Sequence, residues 1–540
     1  MRRERRMAYA TYRVLLCLLL LSPFSSGVPG APNWKTAHAK QQSFLSCLRS
    51  HLIPSHLIFT PGHKNYTALF YSSVRNYRIL TNSSKPLAII TPTEESHAQA
   101  TVSCSVELEV PIRIRSGGHD YEGLSYASTI SPFFSIVDLQ RFRSVKVDVA
   151  NGTAWVQAGA TLGELYYAIA MKSRDVAFPA GSCHTVGVGG HFSGGGLGTL
   201  TRSHGLAIDQ IIDARVVTAK GQVVDRESMG EDLFWALRGG GAASFGLILS
   251  YRITLVRVPP KVTVFSKTRL VGEGAINVVT KWGQMAYKLD ERIFLQAILT
   301  VAKDNKENRT VQATFSSMFL GEKTELVALV GKSIPELELK ADECTEMSWI
   351  ESVLQFDGVG SDAPLSALLD RSPHPSKIRS KSKSDIMTTP IGKEGWEEIF
   401  GWMLDGNEWP MLILDPLGGK MDDISETATP FPHRKGSLYD IQYIVQWTEK
   451  GKEEASKHLE WMQRFFEQMT PYVSSEPRAA YLNYRDLDLG INGEGNTSYA
   501  EASVWGNRYF KGNFKRLAQV KTAVDPANFF RFEQSIPLLV

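Results

Sequence analysis

The segment from Pro179 to Gly198, PAGSCHTVGVGGHFSGGGLG, holds eight glycines in twenty residues. Glycine costs about 0.5–1 kcal/mol relative to alanine inside a helix or strand, so this run excludes either as its regular form. It suits a loop whose bare backbone N–H groups approach a phosphate-bearing ligand, although a purely structural loop satisfies the same composition. A shorter segment, RIRSGGHDYEGLSY (residues 113–126), reads as the end of a strand, two glycines and then His119. Such a turn bares main chain to a ligand and lets the histidine touch it. Neither segment has a common phosphate-binding spacing. G-x-G-x-x-G fails from Gly187, where the sixth residue is Phe192, and equally from Gly194 and Gly239; no Gly-Lys-Ser/Thr follows as in a P-loop. The ligand is then a nucleotide cofactor held in some other way.

The chain has 540 residues, too many for one small core, with 43% apolar and 21% charged residues. Arg2, Arg3, Arg5 and Arg6 precede an apolar run from Val14 to Leu21, followed by SSGVPGAP. This is the layout of a secretory signal peptide over residues 1–30, with Met7 as an alternative start and a buried N-terminal helix as the competing reading. The run is too short to span a bilayer. Its removal takes away five arginines and one glutamate, so the formal charge falls from +3 to −1. A near-neutral protein argues against nucleic acid as a partner, because phosphate binding needs concentrated positive charge. Sequons at Asn65, Asn82, Asn151, Asn308 and Asn496 fit export. Four cysteines remain after residue 30. Cys47 and Cys104 both lie in the N-terminal part, where one bridge is expected in an oxidising compartment. That leaves Cys183 and Cys344 unpaired.

Residues 34–80 read as helical. From Pro86 to Leu255 strand-like runs (LAIITP, IRIRSG, FSIVDL, AWVQAGA) alternate with helical ones (TLGELYYAIA, EDLFWAL), the pattern of an α/β domain. After Pro259-Pro260 come RIFLQAILTV, VQATFSSMFLG and YDIQYIVQW with the helix KHLEWMQRFFEQM, which predict a second domain on an antiparallel sheet. The tail holds YLNYRDLDLG and one helix over YFKGNFKRLAQVKTAVDP.

Together, RSGGHDYEG and GSCHTVGVGGHFSGGG, followed by GLAIDQIIDARVV, EDLFWALRGGGAASFGLI, PFPHRKG, YLNYRDLDLG and DPANFFRFEQSIP, resemble the berberine bridge enzyme-like family of plant flavoproteins, within the vanillyl-alcohol oxidase superfamily. The resemblance covers nearly the whole chain after residue 30. It implies an α+β fold: a two-subdomain α/β FAD-binding domain (31–258), a substrate domain with an antiparallel sheet covered by helices (259–475), and a C-terminal segment (476–540) returning to the FAD-binding domain. It implies FAD bonded covalently twice, to His119 through the 8α-methyl and to Cys183 through C6. Imidazole and thiolate are nucleophiles and the oxidised flavin is electron-poor. Arg115, Ser116, Gly117 and Gly118, then Gly187, Val188, Gly189, Gly190 and His191, and also Leu197, Tyr481 and Asn483, are expected around the cofactor. The family disulfide falls on Cys47 and Cys104, and Cys344 is taken as structural. One departure is His184, where the family usually has proline. No metal is implied.

The shared chemistry is oxidation of a C–H bond while a base removes a proton. Tyr484 matches the family's catalytic tyrosine, but a phenol of pKa about 10 is a poor base at neutral pH, so it needs help or acts as a guide. Asp440 and Gln442 share a face by strand alternation. Berberine bridge enzyme has a glutamate base where this chain has Gln442, and an amide cannot be a base. Monolignol-oxidising relatives have lysine in place of Asp440 and tyrosine in place of Leu197; cannabinoid synthases have glutamate in place of Asp440. Asp440 is thus the base itself or the acceptor of a proton passed through Tyr484. Tyr121 is a further substrate contact. In this family valine at the place of Val186 goes with access of oxygen to the flavin. These features imply a secreted, monomeric oxidase that uses dioxygen and acts on an alcohol or the anomeric carbon of a sugar, placed in the cell wall or the vacuole. The alternatives are an oxidase of alkaloids or phenolics and a catalytically silent secreted flavoprotein.

Overall fold

Short apolar strands bounded by glycine and proline build the N-terminal half. The structure, a computed structural model, describes residues 34–81, 84–372, 376–495 and 497–539. The expected leader at 1–30 and the sequons Asn82 and Asn496 lie outside the described residues. A four-stranded sheet runs in the order Ile58–Phe59, Ile89–Ile90, Ser135–Asp138, Ile112–Arg115. Its last three strands are parallel, and the helix Glu95–Glu107 makes one crossover. The second sheet, Val145–Asp148, Thr153–Gln157, Leu247–Thr254, Ile211–Val217, Val223–Val224, is antiparallel throughout. Alternation of helix and strand in the sequence did not separate these two cases. The long N-terminal helical reading also shortens: the helix is Trp34–Ser50, and Pro54 begins a run of short turns. Cys47 and Cys104 are bonded, joining this helix to Glu95–Glu107.

One core gathers Val156, Val188, Phe192, Ile208 and Leu247 with Trp505, Phe514 and Leu517, so the C-terminal helices pack among the strands of the first half. The single C-terminal helix expected is two, Tyr499–Phe510 and Phe514–Val524. Lys511, at φ 46, turns the chain between them.

Between the first half and these C-terminal helices in sequence lies a seven-stranded antiparallel sheet, ordered Thr345–Met347, Val262–Leu270, Arg309–Phe319, Ile293–Lys303, Met411–Pro416, Tyr439–Trp447, Arg379–Met387. Successive side chains of a strand point to opposite faces. Leu295, Ala297, Leu412, Leu414, Tyr439, Ile441 and Tyr443 face a core shared with the helices Ala275–Met285, Lys323–Ser333, Lys393–Leu404 and Lys452–Gln468. The intervening residues turn the other way, and Phe294, Gln296, Ile413, Asp415 and Gln442 line a cavity. Among the described residues no helix is long and apolar enough to cross a membrane.

Candidate active site

The two glycine-bearing segments meet in space. A Cβ built on Gly117 would lie 2.4 Å from the Gly187 nitrogen, and one built on Gly187 would lie 2.2 Å from the Gly117 nitrogen. Only glycine allows main chain to pass main chain this closely. The loops together form one wall of a cavity of about 470 Å3, and the outer face of the seven-stranded sheet forms another. Ser116, Gly117, Gly118, His119 and Tyr121 line it from the first loop; Cys183, Val186 and Gly187 line it from the second. Against the expectation from glycine content, the second loop runs into a short helix, Val188–Gly194, which carries the lining residues Gly189, Gly190 and His191, with Leu197 just beyond it. A Cβ on Gly190 would meet no atom, so glycine there keeps the cradle open.

His119 and Cys183 converge on one hydroxyl. Thr185 Oγ1 lies 2.9 Å from His119 Nε2 and 3.5 Å from the exposed Cys183 Sγ. Burial, helped by the nearby Arg75 cation, holds the His119 pKa down to about 3. The imidazole is therefore neutral and keeps a lone pair, as a nucleophile must. Sequence reasoning passed over Thr185; its place two residues after Cys183 was the available signal. His191 accepts a hydrogen bond at Nε2 from the Gly181 N–H at 3.0 Å, and burial holds its pKa down to about 4. Tyr481 Oη accepts from the Gly196 N–H and from Asn483 Nδ2, each at 2.8 Å, and Asn483 Nδ2 also reaches the His191 carbonyl. Tyr481 and Asn483 line the cavity and brace the glycine loop.

Two expected cofactor contacts are elsewhere. Arg115 is fully buried, pairs with Asp138 at 2.5 Å and donates to the carbonyls of Leu69 and Phe70; it ties the strand Ile112–Arg115 to its neighbours and does not line the cavity. Val188 points into the core beneath the loop.

The catalytic candidates split as well. Tyr484, Tyr121 and Gln442 line the cavity. Tyr121 and Tyr484 stack with ring centroids 5.8 Å apart, and Gln442 Nε2 donates to Tyr121 Oη. Asp440 is 2% exposed, does not line the cavity, and among the described residues neither carboxyl oxygen has a partner outside its own residue. Its cross-strand neighbour is Asp415, which does line the cavity and receives a hydrogen bond from Gln296 Nε2 at 2.6 Å. Burial raises both carboxyls, and the charge of Asp415 pushes Asp440 up further. Two like charges this close do not both ionise readily. Of the two, Asp440 is raised the further, and the hydrogen bond from Gln296 favours the charged form of Asp415. Burial, with both carboxyls near, also pushes the Tyr484 phenol well above its ordinary value. Asp440, expected at the substrate, thus lies behind the cavity wall, and Asp415 is the carboxyl that lines the cavity. Asp415 and Gln296 escaped the sequence because they become neighbours only through strand pairing.

The N-terminal half and the tail match known families. The FAD binding domain family matches residues 86–226, and the berberine and berberine-like family matches residues 480–537. Berberine bridge enzyme-like 23 of Arabidopsis thaliana is 48% identical over 93% of this chain and 94% of its own. A tetrahydroberberine oxidase of Berberis wilsoniae is 45% identical over 98% of this chain and 99% of its own. The crystal structure of Phl p 4, a grass pollen allergen with glucose dehydrogenase activity, superposes with a TM-score of 0.87 at 44% identity, covering 92% of this chain and 100% of that one. The chain belongs to the berberine bridge enzyme-like family. It is an FAD-binding oxidoreductase, and the open glycine cradle between the two loops fits that cofactor.

Proposed function

We propose that this protein is an exported oxidase that takes a hydride from a hydroxyl-bearing carbon, an alcohol or the anomeric carbon of a sugar, using FAD bonded to both His119 and Cys183, with dioxygen reduced to hydrogen peroxide. The carrying observation is the Asp415 carboxylate, which lines the same cavity as Tyr484, Tyr121 and Gln442 and as the two nucleophiles. FAD, when bound, supplies the acceptor for the hydride. Asp415 takes the hydroxyl proton as that hydride leaves, while Asp440 stays protonated behind it. Tyr484, held as the neutral phenol, donates a hydrogen bond that orients the substrate oxygen. Gln442 fixes the Tyr121 ring. With Nε2 of His119 engaged by Thr185, Nδ1 is the nitrogen left for the cofactor.

The choice of acceptor has its own support. Wild-type Phl p 4 is a glucose dehydrogenase; a variant with one introduced valine is a glucose oxidase, a variant with a histidine introduced five positions further on stays a dehydrogenase, and the double variant is an oxidase. This chain has Val186 and His191 at that same spacing, and both line the cavity. The Cys47–Cys104 bond and the exposed sequons Asn65, Asn151 and Asn308 support export to the cell wall or vacuole.

A second reading, an alkaloid or phenolic substrate, is favoured by the tetrahydroberberine oxidases among the relatives and by Phe294, Phe356 and Ile413 in the cavity wall. A peroxide-coupled panel separates the two: turnover of aldoses or alcohols alone supports the first, tertiary amines or phenols alone the second. Acid precipitation tests the bonds. Yellow colour in the wild-type pellet supports covalent FAD, and colour lost only in the His119→Ala, Cys183→Ala double variant supports two attachments. A colourless wild-type pellet rules out both.

A further inference from the structure

The residue after Cys183 is gripped from the far half of the chain. The His184 backbone N–H donates to Asp357 Oδ1 at 3.1 Å, and His184 Nδ1 bonds Asp357 Oδ2. The His184 carbonyl accepts from the Gly163 N–H at 3.0 Å. Residue 184 is thus fixed through its amide, its ring and its carbonyl. Asp357 is itself held: it is 5% exposed on its side chain, and its N–H closes the end of the helix Trp349–Phe356 on the Val353 carbonyl at 3.0 Å. The preceding Phe356 lines the cavity.

Cys183, by contrast, is exposed, and its sulfur touches only the Thr185 hydroxyl among the contacts above. A free thiol at the tip of a glycine-rich loop samples many positions, and a misplacement of about 1 Å costs on the order of 100-fold in a reaction that depends on orientation. We propose that Asp357 and His184 are positioning residues for the Cys183 thiol, holding it on the trajectory for bonding to the cofactor. The proposal rests on the twofold attachment proposed above. The sulfur–carbon bond forms at flavin C6 with loss of the thiol hydrogen and the C6 hydrogen. Both hydrogens and two electrons pass to dioxygen, giving one hydrogen peroxide.

The test follows the two bonds separately. Full-length wild type, Asp357→Ala, Asp357→Asn and His184→Gln are produced in flavin-depleted form and given FAD in air. Tryptic peptides containing His119 and Cys183 are then followed by mass spectrometry over time. Expected is a Cys183 bond that forms on the order of 100-fold more slowly in Asp357→Ala, an unchanged His119 bond, and partial rescue in Asp357→Asn, whose side chain still accepts from the His184 N–H. The flavin absorption spectrum should shift to that of Cys183→Ala. Equal rates at Cys183 in all four proteins overturn the proposal, and so does a parallel loss at both residues, which marks a merely structural contact. If Asp357→Ala does not fold, His184→Gln and Asp357→Asn decide on the same criteria. A wild type that never bonds Cys183 removes the twofold attachment itself.

Discussion

Replacing Asp440 by asparagine should make the protein more stable, and increasingly so as pH rises. Asp440 is fully buried and among the described residues neither oxygen is bonded outside its own residue; its carboxyl is raised far above the ordinary 3.8 by burial and by Asp415. The folded protein therefore keeps a proton that the unfolded chain releases above about pH 4. A carboxyl with a raised folded-state pKa leaves stability intact below the unfolded value and erodes it as pH rises towards the folded value. The slope is about 1.4 kcal/mol per pH unit for each such group. Asparagine has nearly the same shape and does not ionise. The gap in melting temperature between Asp440→Asn and wild-type holoprotein should be near zero at about pH 4 and should widen steadily to about pH 7. A gap that stays flat, or a variant that loses stability as pH rises, would show that Asp440 is ionised and paired, and the division of labour with Asp415 would be wrong. Activity gives an independent reading: Asp440 is already neutral where Asp415 ionises, so the acid limb of kcat/KM should stay where it is in Asp440→Asn, and a shift to lower pH would show that Asp440 carries charge in the wild type.

Asp415→Asn should lower kcat/KM by about 10²- to 10⁴-fold, the usual worth of a general base, with FAD content unchanged; retained activity would return the base to Tyr484. Val186→Leu should slow reoxidation by dioxygen in stopped-flow experiments and leave turnover with an artificial electron acceptor as it was. Gly187→Ala places a methyl 2.1 Å from Ser116 Oγ and 2.2 Å from the Gly117 nitrogen, where the backbone has no room to yield. It should cost about 1–3 kcal/mol or more and lower FAD content, read from the melting temperature and the flavin-to-protein absorbance ratio.

Much of this was legible from residues alone. Glycine density marked both loops, because only glycine permits the Gly117–Gly187 approach. A period of two in YDIQY placed Asp440 and Gln442 on one face. The same period does not say how deep each sits, and depth separates buried Asp440 from cavity-lining Gln442. Asp415 was hidden for a related reason. It ends the apolar run MLILDP, and nothing local says that this strand pairs with Tyr439–Trp447 in the register that sets 415 against 440. Arg115 misled because its neighbours in sequence line the cavity while its own side chain turns towards Asp138. Domain-scale alternation showed helices and strands but not whether a sheet pairs parallel or antiparallel, since pairing direction depends on contacts far apart in the chain.

The alternation in the seven-stranded sheet also bears on how such a chain acquires new substrates. Residues pointing to the helices are committed to the core, whereas Phe294, Gln296, Ile413 and Gln442 point into the cavity from the same three strands. A combinatorial library confined to those four positions can be screened without disturbing a single helix-facing side chain. Lineages that diversify by duplication have the same freedom: one face of the sheet drifts towards new chemistry while the other keeps the barrier against unfolding.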